Sequence, residues 1–565
     1  MALFTKRPYT PYSKVFPETQ VRFSPVWRRM PEGPAAELCD EQREFIKTVA
    51  LRRVNVLLTA AAGSGKTTAL RVLHQYAELN GVPVAVTAST GVAAMHLGGR
   101  TLHSWAGMGQ AEDTPAAKSA YLLRVGKRDG AVRKRMRGTA LLVVDEVSML
   151  HPYLLEWLNE AAQRARDAPA LPFGGMQVVL VGDFLQLDAV YRPGQDATPL
   201  FASAAVVAAC LVPCNFKRLH RQDGADALVD ILRHMRVGKT LPGPLMAALS
   251  GRQVGPADDI AQVAQGATCI VPTRKLVSKY NAMLTPASAP VFAPCLALIP
   301  AGARGRPCKV TTELDCVTLQ YPARVAVVAR GRRPPESATD PAASLSFADV
   351  RGMAAPPQDA QGAMDAMTVR MHAGSPVVIT CNVTWVVDGR REPLAANGDL
   401  GVLVGLPGAA STLSVRLHRS GRTVEVPLVE KQWTVEGGVV ELQWWPVQPA
   451  RALTVHRVQG MTLPRILVDL GPDNFAPQQA YVALSRVRRL QDVFILPGWD
   501  PAVLTRVNGP AVAWSAMVAD ESMRRKCAVA AATKAPAAAP ATAAATTAAT
   551  ATAATAPVSK RPRAS

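Results

Sequence analysis

The chain has 565 residues, 48% of them hydrophobic, with 63 Lys and Arg against 43 Asp and Glu, for a formal charge of +20. That length can bury several cores, so three or four domains are expected, and the basic excess points to a polyanionic partner, most simply nucleic acid. No run of eighteen apolar residues occurs and the start Met1 to Pro8 has no apolar secretory core, so no membrane partner and no export are expected; nine scattered cysteines fit a reducing compartment rather than a disulfide framework.

Residues 1–35 are Pro-rich and basic and read as an extended arm, either a solvated tail, a phosphate-binding segment or a targeting presequence. Asp40 is a plausible N-cap for a helix carrying Phe45, Ile46 and Val49. Gln42 in its first turn has an amide suited to both edges of an adenine. The apolar run from Val54 to Leu58 then leads through Gly63, Ser64, Gly65 and Lys66 to Thr67 and Thr68, where a helical pattern begins. Strand, tight loop and helix in this order make a phosphate-binding loop, with backbone N–H groups and the helix N-terminus facing the anion. Lys66 is expected on the β- and γ-phosphates of ATP and Thr67 on Mg²⁺. Ala60 stands where such loops usually start with Gly, which is tolerable if its φ is negative.

Pro83 to Thr87 reads as a second strand, followed by Ser89 and Thr90, whose hydroxyls suit a sugar-phosphate backbone. Thr101 and His103 are further candidates to lie beside a nucleic-acid strand, while Trp105 is expected in the core rather than stacked on a base. Eight Lys and Arg with one acid fill Lys118 to Arg137, as either a phosphate contact or a solvated helix face. Ala140 to Val144 is an apolar strand ending in Asp145 and Glu146. Acids delivered to the C-terminal edge of a parallel sheet sit where ligands bind, so Asp145 is read as the Mg²⁺ ligand and Glu146 as the base for the attacking water. A further strand, Gln177 to Val181, presents Gln186 near the γ-phosphate, as a reporter of that group or as a turn support.

These blocks, with Pro172-Phe173-Gly174-Gly175, Leu219-His220-Arg221-Gln222, Thr454-Val455-His456-Arg457-Val458-Gln459-Gly460 and Tyr481-Val482-Ala483-Leu484-Ser485-Arg486, resemble the Pif-type DNA helicases of the RecD-like branch of helicase superfamily one. The likeness spans roughly 36–284 and 367–500. It implies an α/β fold of two RecA-like P-loop NTPase domains with parallel sheets and ATP between them, plus a small inserted β-barrel of Src-homology type. It implies Arg221 and Arg486 as guanidinium groups across the cleft, Gln459 and Gly460 at the nucleotide, Thr454 and His456 on DNA, and 5′-to-3′ movement. Three stretches depart from the pattern: Ala60, Asp188 in place of a proline, which brings a carboxylate near nucleotide or DNA, and Arg457-Val458 in place of Lys-Ser.

The expected organisation is a basic extension over 1–35, a first RecA-like domain over 36–205 with a basic insertion near 105–138, and a second over 206–383 and 451–505. The second domain carries an irregular insertion at 285–366, either a partner-binding insert or a spacer, and the barrel at 384–450, where Trp433, Trp444 and Trp445 are expected in the core. A disordered Ala/Thr/Pro-rich tail over 506–565 ends in Lys560, Arg561 and Arg563, which resembles a nuclear-import signal. The function expected is an ATP- and Mg²⁺-dependent DNA helicase in replication, repair or recombination, monomeric, acting on single-stranded DNA and duplex junctions. Nuclear location is expected, with a mitochondrial or viral setting as alternatives; the rival functions are an RNA-directed helicase and a DNA-binding scaffold switched by ATP.

Overall fold

The computed structural model describes residues 38–109, 113–128, 130–191, 197–218, 220–221, 226–255, 260–289, 291–292, 295–300, 325–327, 369–387, 390–406, 412–435 and 438–519. The basic arm, most of the 285–366 insertion, Leu219, Gln222 and the Ala/Thr/Pro-rich stretch with its basic end fall outside the described residues.

Strands β1 (Val56–Ala60), β2 (Val84–Ala88), β3 (Arg100–Thr101), β4 (Leu141–Asp145), β5 (Gln177–Gly182) and β6 (Val212–Phe216) form a parallel sheet in the order β3-β2-β4-β5-β1-β6. β1, β4 and β5 are buried along their whole length, as their unbroken apolar runs demand of a sheet covered on both faces. Side chains alternate between the faces. Val56, Leu58, Val143 and Val179 pack against helices α1 (Asp40–Ala50) and α2 (Lys66–Leu79), while Leu57, Leu142, Val144 and Leu180 pack against Trp105, Trp157 and Phe173. Trp105 is thus a core residue. In the basic stretch, Lys118 pairs with Glu160, Arg133 and Arg137 pair with Asp167, and Arg135 donates to the Trp105 carbonyl.

A second parallel sheet runs Ala452–Thr454, Thr268–Val271, Ile466–Val468, Val493–Ile495. Helices Ala227–Arg236 and Gln479–Leu484 bury Leu228, Ile231, Leu232, Val482 and Leu484 against it. An antiparallel sheet of Thr423–Pro427, Thr412–Leu417, Leu400–Gly405, Pro376–Ile379 and Val447–Pro449 has its own apolar core around Leu403, Leu413 and Val415. Its Asn397–Gly398 turn seats on the first unit. Gly398 has φ +97°, and a Cβ there would stand 2.5 Å from Val92 Cγ2, so only glycine fits the approach.

Four expected boundaries are corrected. β6 belongs to the first sheet, paired along β1, so that unit runs past residue 205. Pro376–Ile379 is a central strand of the antiparallel sheet, which therefore starts before 384. Within 384–450, Gly438–Trp444 pairs with Cys295–Pro300, and that strand with Val325–Val327, so the insertion and the later segment share a separate four-stranded sheet. The chain is also ordered past 506: helix Gly509–Ala519 returns to the first unit, where Trp514 stacks on Phe201 at 4.8 Å and meets Phe184 edge-on at 5.1 Å. Asp188 is corrected with it, because its carboxylate accepts a 2.5 Å bond from Asn508 Nδ2 at the root of that helix instead of facing nucleotide or DNA. Trp444 is buried, Trp445 packs on the antiparallel core, and the Trp433 side chain lies outside the described residues.

Candidate active site and nucleic-acid face

The phosphate loop closes β1 and opens α2. Gly63 and Gly65 have φ of +81° and +83°, which only glycine adopts without strain, whereas Ala60 is the last residue of the strand and carries no positive φ. A Cβ at Gly65 would stand 2.4 Å from Gln42 Nε2. Gln42 is buried, with Nε2 donating to the Gly65 carbonyl at 3.1 Å and Oε1 accepting from Cys39 N–H at 3.0 Å. Both ends of its amide thus brace the loop, and an adenine edge reaches them only by exchange. Ser64 Oγ donates to the Ala61 carbonyl, and Lys66 Nζ donates to the carbonyls of Ala60 and Ala61 at 2.8 and 3.1 Å. Burial pushes the Lys66 ammonium down while Asp183, Glu146 and Asp145 hold it up; the net direction is down. Thr67 and Thr68 occupy the first turn of α2 beside it.

Asp145 and Glu146 end β4 in the same pocket, both buried. Glu146 takes φ +53° and its N–H donates to Asp145 Oδ1 at 2.8 Å. Burial, then the neighbouring Glu146 charge, raises the Asp145 carboxyl above the usual range, and the Glu146 N–H and Lys66 oppose this. A side-chain hydroxyl at Thr67 and a carboxylate at Asp145 form an all-oxygen donor set that fits Mg²⁺, which is commonly held by one or two carboxylates together with substrate phosphates.

The second unit meets this pocket directly. Gln459 Nε2 donates to Glu146 Oε2 at 3.1 Å, and the Cβ position of Gly460, φ +81°, is 3.4 Å from Glu146 Oε1. His220 and Arg221 donate backbone N–H bonds to the Gly63 carbonyl, and Arg221 Nη1 donates to the Ser485 carbonyl at 3.2 Å. Arg486 is 1% exposed, with its guanidinium spent on the carbonyls of Val482, Val458 and Met461 and on Ser485 Oγ. Burial and the adjacent Arg221 push it down, with Glu146 and Asp183 acting the other way, so Arg486 and Lys66 share the field of the same two carboxylates. An arginine finger at 486 has to exchange carbonyl partners for phosphate oxygens. Gln186 is buried and reaches this charge cluster through Asp183, whose carboxylate acts on Lys66: Gln186 Nε2 donates to Asp183 Oδ2 at 2.9 Å.

Along the sheet edges, Thr90, Thr101 and Thr454 share one role. Each caps a short helix, accepting a backbone N–H at 3.3 Å from Ala93, Ser104 and Arg457 respectively. A capping hydroxyl that accepts still has its own hydrogen to donate, so these threonines can bond phosphate oxygens without giving up their caps. Ser89 Oγ is buried with no partner among the described residues. Burial, with His151 behind it, pushes His103 down, and burial with Arg274 does the same to His456. Sequence reasoning missed Thr273 and Arg274: Thr273 caps the helix after strand Thr268–Val271 in the same manner, and Arg274 adds charge beside His456 and Arg457. The signal was the Thr-Arg pair following an apolar strand. It also missed Asp183, Arg236 and Tyr481 as a linked set.

Residues 37–212 match the family model described as PIF1-like helicase. The ATP-dependent DNA helicase Pif1 of Psychrobacter sp. (strain PRwf-1) is 38% identical over 203 residues, covering 34% of this chain and 30% of that protein. The human ATP-dependent DNA helicase PIF1 is 29% identical over 511 residues, covering 88% of this chain and 66% of that protein. The chain thus spans between about a third and two thirds of the length of these curated relatives. In fold it is similar to the crystal structure of Pif1 helicase from Candida albicans, with a TM-score of 0.60 at 23% identity over 85% of this chain and 99% of that one. Pif1 helicase from Bacteroides in complex with ADP-AlF3 and ssDNA gives 0.59 at 20% identity over 86% and 98%. The phosphate loop and the paired strand-end acids both lie within the residues that match the PIF1-like helicase model, and the chain is similar to the ATP-dependent DNA helicases named Pif1.

Proposed function

We propose that this protein is an ATP-driven DNA helicase that moves on a single strand, 5′ to 3′, and opens duplex ahead of it. The observation that carries this reading is the cleft itself, where Lys66 and Glu146 of one parallel-sheet unit face Gln459, Gly460 and Arg221 on the other side. In the proposed organisation the two parallel-sheet units are RecA-like domains, the antiparallel sheet is an inserted barrel, and the active form is a monomer.

The chemistry assigned to each group follows from its surroundings. Backbone N–H groups of the Gly63–Thr67 loop and the Lys66 ammonium bind the phosphates, Lys66 first leaving the Ala60 and Ala61 carbonyls. Thr67 and Asp145 would hold Mg²⁺, which would supply positive charge to the phosphates. Glu146 orients the attacking water and takes its proton. Arg221 and Arg486 neutralise charge that grows on the γ-phosphoryl oxygens, so turnover depends on the two units being closed. Thr90, Thr101 and His103 form one backbone grip on DNA and Thr454 with His456 the other, while the buried Ser89 Oγ stays out of reach of the strand. Alternating their strength with closure moves the chain along the strand.

Displacement of a labelled strand from duplexes with a 5′ or a 3′ single-stranded overhang tests the reading, with Lys66→Ala and Glu146→Gln as controls. Unwinding of 5′-tailed DNA alone, lost in both variants, is expected. Preference for 3′ tails overturns the direction, a preference for RNA overhangs overturns the substrate, and ATP binding without turnover leaves the switched scaffold. For location we propose the nucleus, on the strength of the basic end at Lys560 to Arg563; imaging of the tagged full chain with and without those residues checks it.

A further inference from the structure

The segment from Gly182 to Asp188 is shared between bodies. Phe184 and Leu185 are buried in the core of the first unit, whereas Leu187, two residues on, is buried in the core of the second. Between them Asp183, fully buried, makes a two-pronged ion pair with Arg236, the last residue of helix Ala227–Arg236 in the second unit: Nη2 to Oδ1 is 2.7 Å and Nη1 to Oδ2 is 2.5 Å. Arg236 Nη1 also donates to Tyr481 Oη at 3.0 Å, on the helix that leads into Arg486. Asp183 accepts two bonds from its own turn, from Leu185 N–H at 3.1 Å and from Gln186 Nε2 at 2.9 Å.

The orientation of Gln186 follows. An ionised carboxylate only accepts, so the glutamine must turn its NH₂ toward Asp183 and its oxygen away. That Oε1 is buried and has no partner among the described residues. Resting on the ATPase reading above, we infer that Arg236 is a positioning residue for hydrolysis: by pairing with Asp183 it keeps that carboxylate charged and thereby holds the Gln186 oxygen ready to accept a hydrogen bond from the attacking water. The alignment then exists only while the second unit is docked. Burial acts to raise the Asp183 carboxyl, yet Arg236 brings it below the usual carboxylate range. Without the guanidinium the weaker effect of Lys66 is left to oppose burial, which pushes Asp183 toward its protonated form; that form donates as well as accepts, so either end of the glutamine amide fits and the orientation is lost. Lysine would keep a charge beside Asp183 while losing the fork, because one ammonium does not reach both carboxylate oxygens and the tyrosine in a fixed plane, so a neutral side chain is the substitution that removes the effect.

The test is a double-mutant cycle on the full chain, reading DNA-stimulated ATP turnover, affinity for a fluorescent ATP analogue and thermal melting. Arg236→Gln, which removes the charge, is expected to lower kcat about tenfold with nucleotide affinity within about threefold, and in a Gln186→Ala background to change kcat by less than about twofold, since its target is gone; Arg236→Lys, which keeps a charge beside Asp183, is expected to lose less. A purely structural role would instead move melting and affinity, and its loss would multiply with that of Gln186→Ala. Either that multiplication or an unimpaired Arg236→Gln overturns the proposal. If Arg236→Gln does not fold, Asp183→Asn, whose amide donates as well as accepts as the protonated acid would, decides by the same criterion. A wild-type chain that turns over no ATP defeats the ATPase reading and this inference with it; an active wild type with independent effects defeats only the inference.

Discussion

In the first parallel-sheet unit the groups that face the cleft stand at strand ends: Lys66 follows β1, Asp145 and Glu146 end β4, and Asp183 follows β5. In the second they stand at helix ends, with Arg236 closing one helix, Gln459 following another, and Tyr481 and Arg486 within and after a third. The charges differ as well: three carboxylates and a lysine on the first side, Arg236 and Arg486 with the neighbouring Arg221 on the other. Two layers built alike therefore carry complementary equipment. In the structure the arginine side is occupied by carbonyls and by Asp183. A triphosphate entering the cleft competes for donors that already hold the units together, so nucleotide charge and domain docking draw on the same bonds.

Removing one group from each side separates the two roles. Lys66→Ala takes the cation from the phosphate loop and is expected to cut ATP turnover about a thousandfold, with weaker nucleotide affinity, in a coupled ATPase assay. Arg221→Ala leaves the loop intact and is expected to lower kcat about a hundredfold while affinity changes only a few-fold, because its donor acts once charge grows on the leaving phosphoryl group. Equal effects of the two on affinity would break the division. Trp514→Ala sharpens it from another side: the ring is reached only after the chain has passed through the second unit, yet it packs on Phe184 and Phe201 of the first. A loss of about 2 kcal/mol in denaturant unfolding is expected, seen in the melting of the first unit.

The smallest effect is one of pH. His103 on the first unit and His456 on the second are both held down by burial. The unfolded chain takes up a proton near pH 6.5 while the buried rings resist, so the unfolded state binds more protons and stability falls as pH drops below about 6.5. Both rings remain part-exposed, so each contributes under about 1 kcal/mol. Replacing either by Asn should flatten the slope of stability against pH between about 6.5 and 5; an unchanged slope for one of them would show that the two faces are not alike.

Where local chemistry repeats, the sequence was readable. β1, β4 and β5 are apolar runs ending in small or acidic residues, and the loop, the carboxylate pair and the capping threonines all come from contiguous stretches. The pair Asp183–Arg236 is 53 residues apart and Asp188–Asn508 is 320 apart. Neither carries a local pattern, because both join segments far apart along the chain. The same cause displaced the boundaries: β6 reads as a free apolar run until its pairing to β1 is known, and helix Gly509–Ala519 has too uniform an apolar composition to announce which surface it covers. The departure at Asp188 was visible as a carboxylate in place of proline, but its partner was legible only in three dimensions.

That returning helix makes the chain a closed circuit: it leaves the first unit after β6, builds the second, and comes back to seal the outer side of the 182–188 turn through Asn508 and Trp514. A polypeptide fastened at both ends limits how far its middle can swing. In the proposed ATP-driven movement the travel open to the second unit is set by the segment between Pro501 and Asn508, and lengthening that segment would lengthen the travel or uncouple it, with no atom of the nucleotide pocket altered.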